Sequence, residues 1–418
     1  MIELDGTLSE LARLRSGSEP IVSLYLDIRW GDEQQRDRVR LFVQERVRQT
    51  LAHYPPGTPG REGLERTLKR IHEHVAGLLS QEYEADMNGL ALFANEALGL
   101  WRPFFFRRSF QNELTTDAIP HLLQLARLKD DFAPAIVVAP SQEGADIYHV
   151  SLGELAIEAN LRGFVPRRDK DNFNAGTAGH SGRYYERQDK NDRRQEGFIQ
   201  KNRRAAAGEV TAFFDQNPHC FLVLVGTNGT AAAFERELPE RVRERVVARL
   251  PRPREWESGD GARRDGVVKG AAQAIAEREK QDEHHAIEQV VGHALRGGLG
   301  VLGPNDVVEA LNQGRVHKLV IEECFEGTGW TCDNCRAIGS NVESAESCPY
   351  CGGDLHAVGD LGEAMVARAL LEGADVEVVA HANKLHSYRG IGAFLRQTSQ
   401  NGLRGASPPY PTAPGANR

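Results

Sequence analysis

Two hydrophobic periods take turns along the chain. Val22, Leu24, Leu26 and Ile28 recur every second residue, the period of a strand. Val39, Phe42, Val43, Val47 and Leu51 then recur at helical spacing until Tyr54-Pro55-Pro56-Gly57 stops the pattern. Leu64, Leu68, Ile71, Val75 and Leu78 form a second helical stripe, and strands are expected near residues 89–94 and 99–106. Stripes of this kind face a core. A buried strand at 135–139 opens a second segment, with further strands at 146–150 and 154–159. From Leu161 to Arg204 the periodicity fails. An irregular excursion of roughly forty residues inside a compact domain is unusual, and is either disordered or functional. A buried strand resumes at 221–226, closed by Thr227-Asn228-Gly229, and a helix is predicted over 238–250 with Pro239 in its first turn.

Residues 251–261 read as a linker. A long helix is predicted over 264–295, ending at Gly297-Gly298. Next come a helix at 305–312, a strand at 316–322, a cysteine-bearing insert, a helix at 361–371, and strands at 376–380 and 391–396. Alternating strands and helices predict α/β architecture with a largely parallel sheet in this part. The final stretch, with Ser407-Pro408-Pro409-Tyr410-Pro411, reads as a disordered tail. The expected division is an N-terminal α/β domain at 1–130, a middle domain at 131–253 holding a long basic loop (161–204), a C-terminal α/β domain at 254–398 with a zinc knuckle at 330–356, and the tail at 399–418. The length of 418 residues agrees, at about 150 residues per domain.

Composition narrows the function. No apolar run is long enough to span a membrane. Residues 1–10 carry three acids and no apolar core, so no secretory signal is expected. A net charge of −8 excludes a generically basic, DNA-coating protein and leaves room for a locally basic surface. Six cysteines, four of them in two close pairs, point to a reducing, cytoplasmic setting with a metal site. Cys332-x2-Cys335 and Cys348-x2-Cys351 can surround one tetrahedral Zn²⁺. Four thiolates fill the shell and leave no position for a catalytic water, so the expected zinc is structural. Cys220 and Cys324 are expected to be inert core thiols.

Gly298-x-Gly300-x-x-Gly303 matches the dinucleotide fingerprint only as a string, because a helix precedes it where a strand is required. It is expected to be a glycine-rich connection between two helices. His72-Glu73-His74 and His284-His285 lack ligand spacing and are expected on solvated helix positions. Residues 161–204 hold twelve Lys or Arg and six Asp or Glu. Arg183, Arg187, Lys190, Arg193, Arg194, Lys201, Arg203 and Arg204 could neutralise phosphates, while His180, Tyr184 and Tyr185 could stack on unpaired bases. Gly176, Gly179 and Gly182 would let backbone approach a nucleic acid closely. On charge alone, a solvated, partly ion-paired loop fits as well.

The third part carries a resemblance. Residues 301–316 (Val-Leu-Gly-Pro-Asn-Asp-Val-Val-Glu-Ala-Leu-Asn-Gln-Gly-Arg-Val), the strand Lys318-Leu319-Val320-Ile321, the cysteine pairs, Gly373-Ala374-Asp375-Val376-Glu377-Val378-Val379 and Arg389-Gly390-Ile391-Gly392-Ala393-Phe394-Leu395-Arg396 follow one another in order. This order resembles the C-terminal domain of archaeal and eukaryotic class-one peptide release factors and of Pelota. Val22-Ser23-Leu24-Tyr25-Leu26-Asp27 and Leu238-Pro239-Glu240-Arg241-Val242 resemble the bacterial branch of that superfamily more loosely. The resemblance implies a three-domain, tRNA-shaped scaffold of release-factor/Pelota type, with the ribosome as partner and elongation factor Tu beside it. In hydrolytic members a Gly-Gly-Gln loop in the middle domain positions water on the peptidyl-tRNA ester. Here the matching stretch reads Ala178-Gly179-His180-Ser181-Gly182-Arg183, and neither Gly-Gly-Gln nor an Asn-Ile-Lys-Ser motif occurs in the chain. The implied protein binds rRNA of the A site and peptidyl-transferase centre without catalytic residues, as in ribosome hibernation under stress. Two rivals remain: a peptidyl-tRNA hydrolase in ribosome rescue that uses His180 or Ser181, and a zinc-knuckle protein-interaction module unrelated to ribosomes.

Overall fold

The structure is a computed structural model. It describes residues 4–29, 33–80, 87–152, 154–165, 181–252, 260–340, 347–380 and 384–396. The chain divides into two compact units, one of residues 131–280 and one of residues 2–130 together with 281–418.

In the N-terminal segment, α1 (Leu4–Ala12), β1 (Ile21–Asp27), α2 (Glu33–His53), α3 (Arg61–Leu79), β2 (Gly89–Asn95), β3 (Leu100–Phe106), β4 (Glu113–Asp117) and α4 (Leu123–Asp131) follow in order. The strands form an antiparallel sheet in the order β3-β2-β1-β4. Alternation places Val22, Leu24 and Leu26 on one face, where they meet Leu64, Leu68, Ile71 and Val75 of α3 and Val39 and Val43 of α2. Both predicted helical stripes are thus core. Tyr25 points the other way, its ring 5.9 Å from Phe93 and 5.2 Å from Phe110.

The second unit in chain order holds β5 (Ala135–Pro140), β6 (Gly144–Ser151), β7 (Glu154–Arg162), α5 (Ser181–Gln216), β8 (Phe221–Val225), α6 (Asn228–Glu235), α7 (Glu240–Arg243), β9 (Val246–Leu250) and the start of α8 (Asp260–Leu295). Its sheet runs β7-β6-β5-β8-β9, with β5-β8 and β8-β9 parallel. Ile136, Val138, Leu222 and Leu224 face Ala206, Val210 and Phe214 of α5, while Val137, Ala139, Val223 and Val225 face Val267, Ala271 and Ala274 of α8. Helices on both faces explain why β5 and β8 read as unbroken apolar runs. The helix expected over 238–250 is shorter than predicted. It stops at Arg243, and Val246–Leu250 pairs as β9 along the open edge of β8. The edge pairing overrides a spacing of Val242, Val246 and Leu250 that suits either structure.

In the C-terminal segment, β10 (Gly300–Leu302), α9 (Pro304–Asn312), β11 (Val316–Glu322), β12 (Gly329–Cys332), β13 (Ile338–Gly339), β14 (Leu355–Val358), α10 (Leu361–Leu371), β15 (Asp375–Val379) and β16 (Ile391–Leu395) follow in order. The larger sheet runs β10-β16-β11-β15 and is mixed: only β11-β15 is parallel, against the expected largely parallel sheet. Chain reversal through the turn at Lys384–Tyr388 brings β16 back antiparallel to β11. Gly300–Leu302 is also a strand paired to β16, not a plain link between helices. A separate three-stranded sheet, β13-β12-β14, carries the cysteines.

Candidate metal centre and basic helix

The four paired cysteines converge. Cys332 ends β12, Cys335 follows its tight turn, and Cys348 and Cys351 precede β14, which pairs Leu355 with Cys332. All four Sγ atoms lie within 4.8 Å of one another. Cys332 to Cys351 and Cys335 to Cys348 are each 3.5 Å apart. A disulfide needs about 2.05 Å, so these are separate thiols. Sulfurs about 2.3 Å from one tetrahedral zinc would stand ~3.8 Å apart, which the cluster approximates. The donor set therefore fits a metal such as zinc. The Asn334 N–H donates to Cys332 Sγ at 3.4 Å. Gly352 takes a left-handed φ of 71°, and a Cβ on Gly353 would stand 3.0 Å from the Asn334 Cβ and 3.4 Å from Cys351 Sγ. The Gly-Gly pair is thus the turn that lets the second thiol pair close. Burial pushes the Cys332 and Cys335 thiols up, whereas the Gly353 N–H holds Cys351 down at about 6.

A contact that no motif announces supports this ribbon. Arg15 donates to the Cys332 carbonyl at 2.6 Å and to Thr331 Oγ1 at 2.5 Å. Asp333 lies 3.8 Å from the same guanidinium. The N-terminal segment thereby fastens the strand that presents the first ligand. Only a fold that brings positions 15 and 332 together could reveal it. Of the other thiols, Cys220 is buried, 3.6 Å from His149 Nε2, and burial lifts its pKa to about 11, in keeping with an inert thiol. Cys324 is exposed, so its assignment to the core does not hold: the chain has left β11 by that point and turns outward. His74 also departs from expectation. Its ring packs edge-on against Trp101 with a centroid distance of 5.4 Å, because it faces the sheet side of α3.

From Ser181 on, the basic stretch is helical, where an irregular run was expected. α5 is a single helix of 36 residues beginning at Ser181. Gly176, Gly179 and His180 lie outside the described residues. Gly182, Arg183, Tyr184, Tyr185, Arg187 and Lys190 fall on helical backbone. Positions 183, 187, 190, 194, 201 and 204 recur at intervals of four, three or their sum, so along the helix they share one face. Arg193, Arg194, Lys201 and Arg204 are exposed and Arg203 is half-buried. Ala206, Ala207, Val210 and Phe214 are buried against the sheet. Lys201 and Val210 are nine residues apart, a rotation of about 900°, which places them on opposite sides of the helix. Apolar packing at the C-terminal half therefore orients cationic positions away from the core. Arg204 is ion-paired with Glu237 at 3.1 Å. Among the described residues Arg193, Arg194, Lys201 and Arg203 have no such partner.

Residues 120–274 match the family model for bacterial archaeo-eukaryotic release factor family 10. No curated protein matches the chain. Among solved structures, the archaeal translation termination factor aRF1 shares 19% identity over 94% of this chain and 97% of its own, with a TM-score of 0.24. Pelota from Archaeoglobus fulgidus shares 15% identity over 75% of this chain and 80% of its own, with a TM-score of 0.31. Dom34 from S. cerevisiae, a translation termination-like factor, shares 10% identity over 73% of this chain and 79% of its own, with a TM-score of 0.38. Among the described residues no helix is long and apolar enough to cross a membrane. The stretch 120–274, which encloses the whole of the basic helix, is similar to bacterial archaeo-eukaryotic release factor family 10.

Proposed function

We propose that the chain is a ribosome-associated translation factor of the release-factor/Pelota kind, which occupies the A site without hydrolysing peptidyl-tRNA. Hibernation in stressed or dormant cells, as for the bacterial homologue Balon, is the setting this reading favours. The observation that carries it is α5: a helix within the family-matched stretch that buries one face and leaves Arg193, Arg194 and Lys201 exposed on others. Cations fixed on a rigid scaffold neutralise phosphates sequence-independently, which suits rRNA. The placement that goes with this reading follows the tRNA-shaped scaffold that the resemblance implies. The N-terminal segment would face the decoding site, α5 the large-subunit RNA, and the C-terminal part the factor-binding side near elongation factor Tu. The thiol cluster would hold Zn²⁺ as a structural ion. The absence of Gly-Gly-Gln removes the group that positions the water, so ester chemistry is not part of this reading.

Sedimentation with purified ribosomes at low and at raised salt tests it, together with a peptide-release assay on ribosomes holding peptidyl-tRNA. Cosedimentation that weakens steeply with salt, and no release, is the expected result. Release that His180→Ala abolishes would replace it with the hydrolase. A protein that stays at the top of the gradient at low salt would leave the interaction module.

A further inference from the structure

A buried cluster of ionisable groups lies apart from the cysteines and from α5, where the end of β4 and the start of α4 meet α10. Glu363, in the first turn of α10, is 3% exposed. Its carboxylate accepts from the backbone N–H of Leu122 at 2.5 Å and of Leu123 at 3.0 Å. These are amides at the start of α4, so a side chain of the C-terminal segment caps a helix of the N-terminal one. Asp360 in turn caps α10, accepting from the Glu363 N–H at 3.1 Å.

His121 sits between two carboxylates. Its Nε2 is 3.4 Å from Asp117 Oδ2, and its Nδ1 is 3.9 Å from Glu363 Oε1. Nδ1 makes no hydrogen bond, and the residue is 5% exposed. Tyr25 Oη donates to the His121 carbonyl at 2.7 Å, and Glu113 on β4 completes the groups facing the cluster. A neutral imidazole has one N–H, which is enough for the hydrogen bond to Asp117. Glu363, 3.9 Å from Nδ1, acts on the ring through its charge, and a carboxylate on each side of a buried ring favours the imidazolium.

We propose that Asp117, His121 and Glu363 form a proton-dependent latch that closes the N-terminal segment onto the C-terminal one and loosens as the pH rises. Arg15, bonded to the Cys332 carbonyl of β12, and Arg127, paired with Glu323, tie the same two segments independently of the imidazole. The latch supplies the part of the docking that responds to pH. The electrostatics agree in sign. Burial pushes His121 down, but the hydrogen bond to Asp117 and the field of Glu363 outweigh it and lift His121 to about 9. Burial raises Glu363 to about 7. Both groups bind protons more tightly docked than apart. The His121 contribution is complete below the ordinary histidine range near 6.5 and is lost as pH climbs through about 9; that of Glu363 fades between about 4.5 and 7. A cleft of about 700 Å³ beside the cluster, lined by His53, Tyr54, Thr116, Asp117, His121 and Asp360, gives the proton a route that needs no unfolding.

Hydrogen–deuterium exchange of the full chain tests the latch in a peptide covering residues 119–126. After correction for the intrinsic pH dependence of exchange, protection should fall by up to ~10-fold per pH unit between about pH 7 and 9, the slope of one linked proton. Protection that stays flat over that range overturns the proposal, as does an equal slope in a peptide covering β8, which would mark a global effect. His121→Gln should abolish the slope; the same slope in the variant overturns the proposal. Glu363→Gln keeps an oxygen for the Leu122 amide but takes a carboxylate from the imidazole. Its midpoint should move to lower pH, and an unmoved midpoint overturns the latch even where His121→Gln fails to fold.

Discussion

The cysteine ribbon and helix α5 obtain their geometry from opposite sources. In the ribbon the ligands define the fold. β12, β13 and β14 are only four, two and four residues long, and its sulfurs converge to within 4.8 Å of one another, a donor set that fits one metal ion. In α5 the fold defines the surface. Ala206, Ala207, Val210 and Phe214 lock the helix to its sheet, and the cations take whatever direction the helical period dictates. A site of the first kind fails when a ligand is lost. A site of the second kind fails when its charges are changed, with the scaffold left standing.

Three variants sharpen that contrast. The largest effect is expected from Cys348→Ser, which should release the metal and destabilise the C-terminal part by several kcal/mol, because metal binding and folding are coupled. Metal content measured by mass spectrometry should drop with the melting temperature. Melting unchanged with metal lost would place the ribbon among sites that need no ion. Next, Arg193→Glu with Arg194→Glu should weaken sedimentation with ribosomes and lower the slope of log affinity against log salt by about 2, while thermal stability stays nearly intact. An unaltered affinity would make the helix face a solvated one. Arg204→Ala should do least. Its exposed pair with Glu237 is worth less than about 1 kcal/mol, and a guanidinium already engaged has less to give RNA than Arg194. A loss as large as that of the double reversal would show that the pair opens on binding.

The two regions also differ in how far the chain announces them. Cys-x2-Cys spacing is a local rule, so Cys332, Cys335, Cys348 and Cys351 could be paired from the sequence alone, and the structure brings them together. Helix α5 was hidden because residues 181–204 have no apolar stripe to set a period; its helicity continues from the apolar half at 206–214 into a solvated stretch. β9 was misread because Val246–Leu250 has a spacing that suits a helix until the edge of β8 is present to pair with it. The mixed sheet of the C-terminal segment depends on the direction of β16, which no periodicity encodes. Glu363 lay further out of reach, 241 positions from the amide it caps, in a helix whose remaining positions read as ordinary core. The family-matched stretch, 120–274, ends before the cysteine ribbon begins, so the ribbon stands on its own geometry.

The phase of α5 sets which changes in its length the chain can tolerate. One residue added between Arg204 and Ala206 would turn the preceding cations by about 100° about the helix axis, off the direction that the buried half now gives them. Seven residues would return them to within ~20° of where they began, some 10 Å further out. Insertions and deletions in this helix should therefore be tolerated best at near-integral numbers of turns, such as seven, eleven or eighteen residues.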